Sequence, residues 1–386
     1  MKKLYLFVLS ILCMCGLHAQ DSDIQYQMMK GYKKGFIPQK ICIPDILGYK
    51  TLKCDLHLHT THSDGRVTPS MRVQEAWREG LDAIAITDHQ PWPRFDGSTD
   101  GNLSYFHASH ENARYHITLI KGLELTSSGK NFPSIGHLNI LFVKDCNAYF
   151  PKDRNFDEHV TDSLLNTATA EGAFVTANHP GWPDRNSELS PFLIKEIKDK
   201  KIQGVEIFND NEFYPRAIDY ISDYNLTPIG ATDCHYPTSF LWDLSKTHRD
   251  MTLVFAKDTT TASIKEALFA RRTVAYANNL LAGKAVYLKA LFQASLRLES
   301  FTIDGKYFHA RVYNESDISY LLDNGDPSRR IRIPAHQICD MVRGVESLKD
   351  IFEITNMYVG PTKKLAVPMS AVFVSKDKSI KIPYAE

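Results

Sequence analysis

With 386 residues, 43% of them hydrophobic, the chain is too long for one ordinary core and long enough for two, one of which could be a barrel of roughly 250 residues. Its 45 basic and 45 acidic side chains cancel, which excludes a strong nucleic-acid-binding field and leaves any charged substrate to be held by the site itself. Seven scattered cysteines exclude a disulfide framework.

Lys2 and Lys3 precede an apolar run from Leu4 to Cys15, and His18-Ala19-Gln20 then gives way to Asp21-Ser22-Asp23. This is the layout of a signal peptide over residues 1–20, so export to the periplasm or beyond is expected. A lipoprotein anchor is the second reading, because Leu12 and Met14 are bulky where an acylation motif wants small residues before the cysteine. The run is too short to span a bilayer comfortably, and no later stretch is long and apolar enough to be a transmembrane span. After cleavage Cys42, Cys54, Cys146, Cys234 and Cys339 remain, expected as buried free thiols, with Cys42 and Cys54 the one pair that could form a bridge. Residues 21–50, broken by Gly31, Gly35, Pro38, Pro44 and Gly48, read as an irregular lead-in.

The stretch Cys54-Asp55-Leu56-His57-Leu58-His59-Thr60-Thr61-His62-Ser63-Asp64-Gly65 begins with the period-2 pattern of a strand. His57 and His59 therefore share one face while Leu56 and Leu58 take the other, and the polar turn after them can return the Asp64 carboxylate towards the imidazoles. Thr68 and Pro69 predict a capped helix running to Glu79 and stopped by Gly80. The apolar run LDAIAIT follows and ends in Asp88-His89. The alternation continues through a helix over 103–116 and a strand over 117–125 carrying Glu124, then a strand opened by His137. A helix over 157–171 precedes a strand over 173–177 ending in Asn178-His179-Pro180-Gly181-Trp182. A helix over 191–201, a strand over 205–208, a helix over 214–224 and a strand over 227–232 bring the chain to Asp233-Cys234-His235. Seven short apolar strands, mostly separated by helices, predict an α/β fold with a distorted seven-stranded (β/α)7 barrel over residues 51–284. A last helix over 262–271 and a turn through Asn278, Asn279 and Gly283 close it.

Beyond residue 285 apolar and polar residues alternate in short runs with turn signals such as Asn324-Gly325-Asp326-Pro327 between them, which predicts a small all-β sandwich domain over 285–386. It shows no cluster of ligand-type residues, and His309 and His336 read as surface or packing histidines.

The strand ends of the barrel gather His57, His59, Asp64, His89, Glu124, His137, His179, Asp233 and His235, that is, six of the chain's fifteen histidines and three carboxylates. In such barrels the carboxyl rim carries the chemistry. Nine nitrogen and oxygen donors exceed what one ion needs and imply two to three divalent cations, with Zn, Mn or Fe suiting mixed imidazole and carboxylate better than calcium does. Asp233 and His235 repeat the one-face spacing of His57 and His59, which turns Cys234 away as a packed thiol rather than a nucleophile.

With these motifs in order (His57-x-His59 with Ser63-Asp64-Gly65, Thr87-Asp88-His89, Glu124 followed by His137, Asn178-His179-Pro180, and Asp233-x-His235), the chain resembles the polymerase and histidinol phosphatase (PHP) superfamily of metal-dependent phosphoesterases. The resemblance implies a trinuclear site. One metal would take His57, His59, Glu124 and Asp233; a second would share Glu124 with His137 and His179; the third would take Asp64, His89 and His235. Of these only His137 opens its strand instead of ending it. The sandwich is also similar to the extra domain of some exported PHP phosphodiesterases.

The chemistry expected is hydrolysis of a small phosphate ester, diester or monoester, by a metal-activated hydroxide. Asp233 is the candidate proton acceptor, and His235 or His179 the candidate that assists the leaving group. Arg94 and Arg185 are candidates to complement the phosphate, and Trp182, with Trp92 and Tyr236, to wall an aryl or base group. Two rival readings remain: a metal-dependent hydrolase of amides or lactones, weakened because no lysine stands at a strand end to bridge two metals, and a non-catalytic protein that binds a polymer or partner. Sequence leaves the oligomeric state open.

Overall fold

Strand β1 (Lys50–Asp55) starts the barrel wall, and in the computed structural model it is buried at Leu52, Cys54 and Asp55. That structure describes residues 37–90, 100–150, 156–183, 185–373 and 382–384; the expected signal peptide, Trp92 and Arg94 lie outside them. Six further strands complete the wall: β2 (Ala83–Ile86), β3 (Thr118–Thr126), β4 (His137–Leu141), β5 (Phe174–Ala177), β6 (Gly204–Asn209) and β7 (Thr227–Ala231). β1, β2 and β3 pair in parallel, as do β5, β6 and β7. The ring closes where the chain beyond β7 meets the chain beyond β1: Leu58 bridges Cys234 in parallel, and the Asp233 N–H donates to the His57 carbonyl at 2.9 Å. Strands such as AIAI and FVTA are buried at every residue, as a wall covered on both sides requires.

The distortion lies in β4, which runs antiparallel to both β3 and β5. Its first residue therefore sits at the rim where its neighbours end, with His137 opposite Thr126. A strand-opening histidine thus reaches the same face as the strand-ending ones.

The helices follow local signals. Helix α1 (Pro69–Arg78) has the Thr68 hydroxyl accepting from the Met71 N–H and stops before Gly80, whose φ of +81° a side chain would resist. Helices α2 (Leu103–Asn112), α3 (Glu158–Glu171), α4 (Pro191–Lys198) and α5 (Ala217–Asp223) fill the other connections; Asp157 caps α3 and Ser190 caps α4.

Where the sequence suggested only a closing helix and turn, the sheet continues. β8 (Met251–Ala256) pairs antiparallel with β1, and β9 (Thr273–Ala277) and β10 (Leu280–Gly283) extend it outward, with helix α6 (Thr261–Phe269) between β8 and β9. MTLVFA has the same fully buried composition as a barrel strand, so its antiparallel direction was not readable. Helix α7 (Ala285–Ser295) then precedes the antiparallel region, in a stretch expected to be all-β. Strands β11 (Leu296–Asp304), β12 (Tyr307–Asn314) and β15 (Ile338–Gly344) form a separate antiparallel sheet. β13 (Tyr320–Asp323), β14 (Ile331–Ile333), β16 (Ile351–Tyr358) and β17 (Lys364–Pro368) form the facing layer. Phe308 and Val312 of the first layer share one buried apolar cluster with Tyr320, Ile331, Phe352 and Ile354 of the second. Leu281 and Ala282 of β10 pair in parallel with Met357 and Tyr358 of β16, which joins this layer to the sheet of the barrel.

Candidate metal centre

The rim is built from the bottom of the wall upward by a buried ion network. Arg249, fully buried, lies 3.2 Å from Asp55 Oδ2 through Nη1 and 2.7 Å from Glu79 Oε2 through Nη2. Asp55 in turn accepts from the Thr232 hydroxyl at 2.7 Å and the Thr232 N–H at 3.2 Å. That fixes the residue before Asp233, which adopts a left-handed backbone with φ of 52°. His179, at φ 26°, and Asp210, at φ 47°, share this positive-φ backbone at the rim. Non-glycine residues hold such conformations only where the surroundings over-determine them. Arg72, buried in α1, donates to the carbonyls of His59, Cys234 and Tyr236 at 2.9, 2.6 and 3.0 Å and so ties the two donor-bearing segments to one helix. Asp88 accepts from the Thr60 N–H, the Thr60 hydroxyl and the Ser63 hydroxyl, which shapes the turn that delivers Asp64.

On this frame all nine residues named from the sequence converge. His57 Nε2 lies 3.2 Å from Glu124 Oε1 and 3.2 Å from Asp233 Oδ1; His59 Nε2 lies 2.9 Å from the same Asp233 oxygen. Glu124, fully buried on β3, is also 3.4 Å from His137, 3.6 Å from His179 and 2.5 Å from His89. Asp64 stands 3.4 Å from His89 and 3.2 Å from His235. Three overlapping sets have donor atoms close enough to hold an ion: His57, His59 and Glu124; Glu124, His137 and His179; and His59, Asp64, His89 and His235.

The donor set fits divalent cations. The two ring nitrogens His57 Nε2 and His59 Nε2 face each other at 3.1 Å, and both crowd Asp233 Oδ1, which is buried and has no hydrogen-bond partner of acceptable geometry. Lone pairs aimed at one point need a positive charge there, and an orphaned carboxylate oxygen is costly otherwise. Against burial, the carboxylates raise His57, His89, His179 and His235, so that in the ion-free rim protons hold the place a cation would take. Burial opposes charge on Glu124, but His137, His89 and His57 outweigh it and keep the carboxylate ionised well below its ordinary range. Burial likewise opposes ionisation of Asp233, yet His57 and His59 hold its pKa down. Burial, then His89 and His235, push the His59 imidazole down to about 4, which keeps it neutral and able to donate a lone pair.

Two contributors were not assigned roles from the sequence. Glu206, fully buried on β6, accepts from His57 Nδ1 at 2.8 Å, from the His179 N–H at 2.7 Å and from Asn209 Nδ2 at 2.8 Å. The Asn178 amide donates to Glu124 Oε1 at 2.8 Å. The one signal for Glu206 was a charged residue inside the apolar run GVEIF.

Above the donors opens a cleft of about 580 Å³, with Trp182, Asn209, Asp210, Glu212 and Tyr214 on its walls. Trp182, half exposed, meets His179 edge-on at 5.5 Å and His137 at 5.9 Å. Arg185 is exposed and Tyr236 half exposed, and neither is among the described residues that line the cleft. Burial, then the Asp233 carboxylate, raises Asp210 to about 6. Cys234 is buried beside Arg72, its thiol pushed up to about 12 chiefly by burial, so it is inert as a nucleophile. All five described cysteines are free, and no helix among the described residues is long and apolar enough to cross a membrane.

Residues 55–214 match the PHP domain; Asp233 and His235 lie beyond that stretch. No curated protein is significantly similar to the chain. Among solved structures, a two-domain protein from Bacteroides vulgatus containing a predicted PHP-like metal-dependent phosphoesterase matches with a TM-score of 0.78 and 32% identity, over 86% of this chain and 99% of that one. PsfC from Pseudomonas syringae matches 58% of this chain and 90% of its own at 14% identity, with a TM-score of 0.39. With that identity over nearly all of the Bacteroides protein, and the PHP domain matched over residues 55–214, the chain belongs to the PHP superfamily of metal-dependent phosphoesterases.

Proposed function

We propose that this hydrolase is an exported phosphodiesterase with a trinuclear centre. His57, His59, Glu124 and Asp233 would hold one cation, Glu124, His137 and His179 a second, and Asp64, His89 and His235 a third, with Zn, Mn or Fe the ions that suit these donors. The observation that carries the reading is the overlap of three donor sets, through Glu124 and His59, on the floor of an open cleft. When bound, divalent cations supply Lewis acidity, lowering the pKa of water and neutralising phosphate oxygens.

The side chains set the rest. With Oδ1 turned to the cation, the ionised Asp233 has its second oxygen, Oδ2, to accept the proton of an attacking water. The His235 Nδ1–H donates to the Asp233 carbonyl at 2.7 Å, which leaves Nε2 directed to Asp64. An imidazole that ligates cannot also give up a proton from the same nitrogen, so His235 is a leaving-group acid only in a form with two cations. Diester preference is supported by the cleft itself: it has room for a second ester arm beside Trp182, and the Asp210 and Glu212 carboxylates on its wall favour a monoanionic diester over a dianionic monoester. Export rests on residues 1–20 and predicts a mature chain beginning at Asp21.

The test is hydrolysis of bis(4-nitrophenyl) phosphate and 4-nitrophenyl phosphate by metal-free protein refilled with Mn, Zn or Fe, alongside His59→Ala. Faster metal-restored turnover of the diester, lost in the variant, is expected. Preference for the monoester overturns the diester assignment; metal binding without turnover of either substrate overturns the phosphoester one.

A further inference from the structure

A second group of ligand-type side chains lies outside the barrel rim. Cys42, in the lead-in to β1, Asp317, between β12 and β13, and His336, between β14 and β15, place a thiol, a carboxylate oxygen and a ring nitrogen within 4.8 Å of one another. They come from three separate segments, yet their positions are fixed. The Cys42 N–H donates to Asp317 Oδ2 at 2.7 Å, and the Asp317 N–H returns a bond to the Cys42 carbonyl at 2.9 Å. Asp317 sits in a turn whose neighbours Ser316 and Ile318 are fully buried, and His336 holds a left-handed backbone with φ of 53°. His336 Nε2 reaches Asp317 Oδ1 at 2.5 Å. Two donor atoms that a cation could bridge thus face each other, with the Cys42 sulfur beside them.

From this geometry we propose that Cys42, Asp317 and His336 form a zinc site distinct from the phosphoesterase centre. Thiolate, imidazole and carboxylate are all zinc ligands, and one thiolate with one carboxylate neutralises a divalent ion. Three protein ligands leave the remaining position to water, which the partial exposure of His336 and Asp317 permits. A thiol must lose its proton and an imidazole be neutral to ligate, so affinity rises with pH. Its structural effect is to stitch the segment that leads into β1 to the turns of the C-terminal sandwich. Cys54, the other cysteine near β1, is fully buried with its thiol raised, chiefly by burial, and so cannot compete.

The rim has no sulfur donor among its described residues, and that separates the two sites spectroscopically. Metal-free, phosphine-reduced protein is titrated with Co(II) and read for the near-ultraviolet thiolate-to-cobalt charge-transfer band. The band is expected in the wild type and in His59→Ala, and is expected to vanish in Cys42→Ser. Asp317→Asn and His336→Ala should each weaken the affinity of the band-forming site by about tenfold or more, the least seen when even a supporting residue of a metal site is lost. Cys42→Ser should keep metal-restored hydrolysis, since none of its atoms touches the rim. No band in the wild type at excess cobalt overturns the site. A band that survives Cys42→Ser places the thiolate elsewhere and overturns it equally. A band insensitive to both Asp317→Asn and His336→Ala reduces it to a solitary thiol.

Discussion

Glu206→Gln tests whether the carboxylate under the rim sets the chemistry of the donors above it. Glu206 accepts three hydrogen bonds with two oxygens: His57 Nδ1–H on Oε1, and the His179 N–H and Asn209 amide on Oε2. A glutamine has one acceptor oxygen. Whichever way the amide turns, its NH2 confronts a donor, either the His57 ring or the His179 and Asn209 pair. The first orientation drives His57 towards the tautomer with its proton on Nε2, the atom that faces Asp233 and Glu124, and removes a metal donor. The second frees the His179 N–H in a buried place, at a cost of about 1–3 kcal/mol. Loss of such a supporting partner costs about 10–100-fold in metal affinity, or about 1.4–2.8 kcal/mol. The assay is competition of Mn(II) or Zn(II) between the protein and a calibrated chelator, with chemical unfolding of the metal-free protein alongside. Metal affinity and stability both within error of wild type would refute the assigned role of Glu206. Loss of stability with unchanged affinity would show that it is a packing residue only.

Three further outcomes follow from the same structure. Arg249→Met strands the Asp55 and Glu79 carboxylates in the interior and should cost about 3–5 kcal/mol in urea unfolding; a loss under about 1 kcal/mol would show that water reaches the network. Asp250 is raised to about 7, first by burial and then by Asp55, against the Asn211 N–H that it accepts. Because its folded pKa lies above the unfolded value of about 4, its contribution is full below pH about 4 and lost as pH rises through about 7, an effect on the order of 4 kcal/mol at about 1.4 kcal/mol per pKa unit. Asp250→Asn should flatten the stability profile across that window, and an unchanged slope would place the titration elsewhere. Removing metal with a chelator should lower the thermal midpoint, since free ion at 100 times Kd stabilises by about 2.7 kcal/mol; a midpoint indifferent to metal would mean that none binds the native state selectively.

What made the centre legible in the chain is that rim donors must follow short apolar strands, so each appears as a polar residue at a hydrophobic boundary. His57 and His59, Asp88-His89, His179 and Asp233-x-His235 all carry that signature. His137 carries its inverse, and the antiparallel course of β4 shows why: the rim is defined by space, and a reversed strand presents its first residue there. Residues that support donors have no such boundary to mark them. Glu206 and Arg249 are charged groups within or beside buried strands, and a sequence offers no way to see which partner neutralises a buried charge. The direction of β8 was hidden for a related reason, since six buried residues in a row specify burial on both faces and say nothing of parallel or antiparallel pairing. His336 shows the limit most directly. Alone in its own segment it reads as a surface histidine, and only the fold sets it beside Asp317 and Cys42, which precede it by 19 residues and by about three quarters of the chain. Local pattern therefore reveals donors that are anchored to secondary structure, whereas donors assembled from turns far apart in the chain become visible only once the strands between them have been packed.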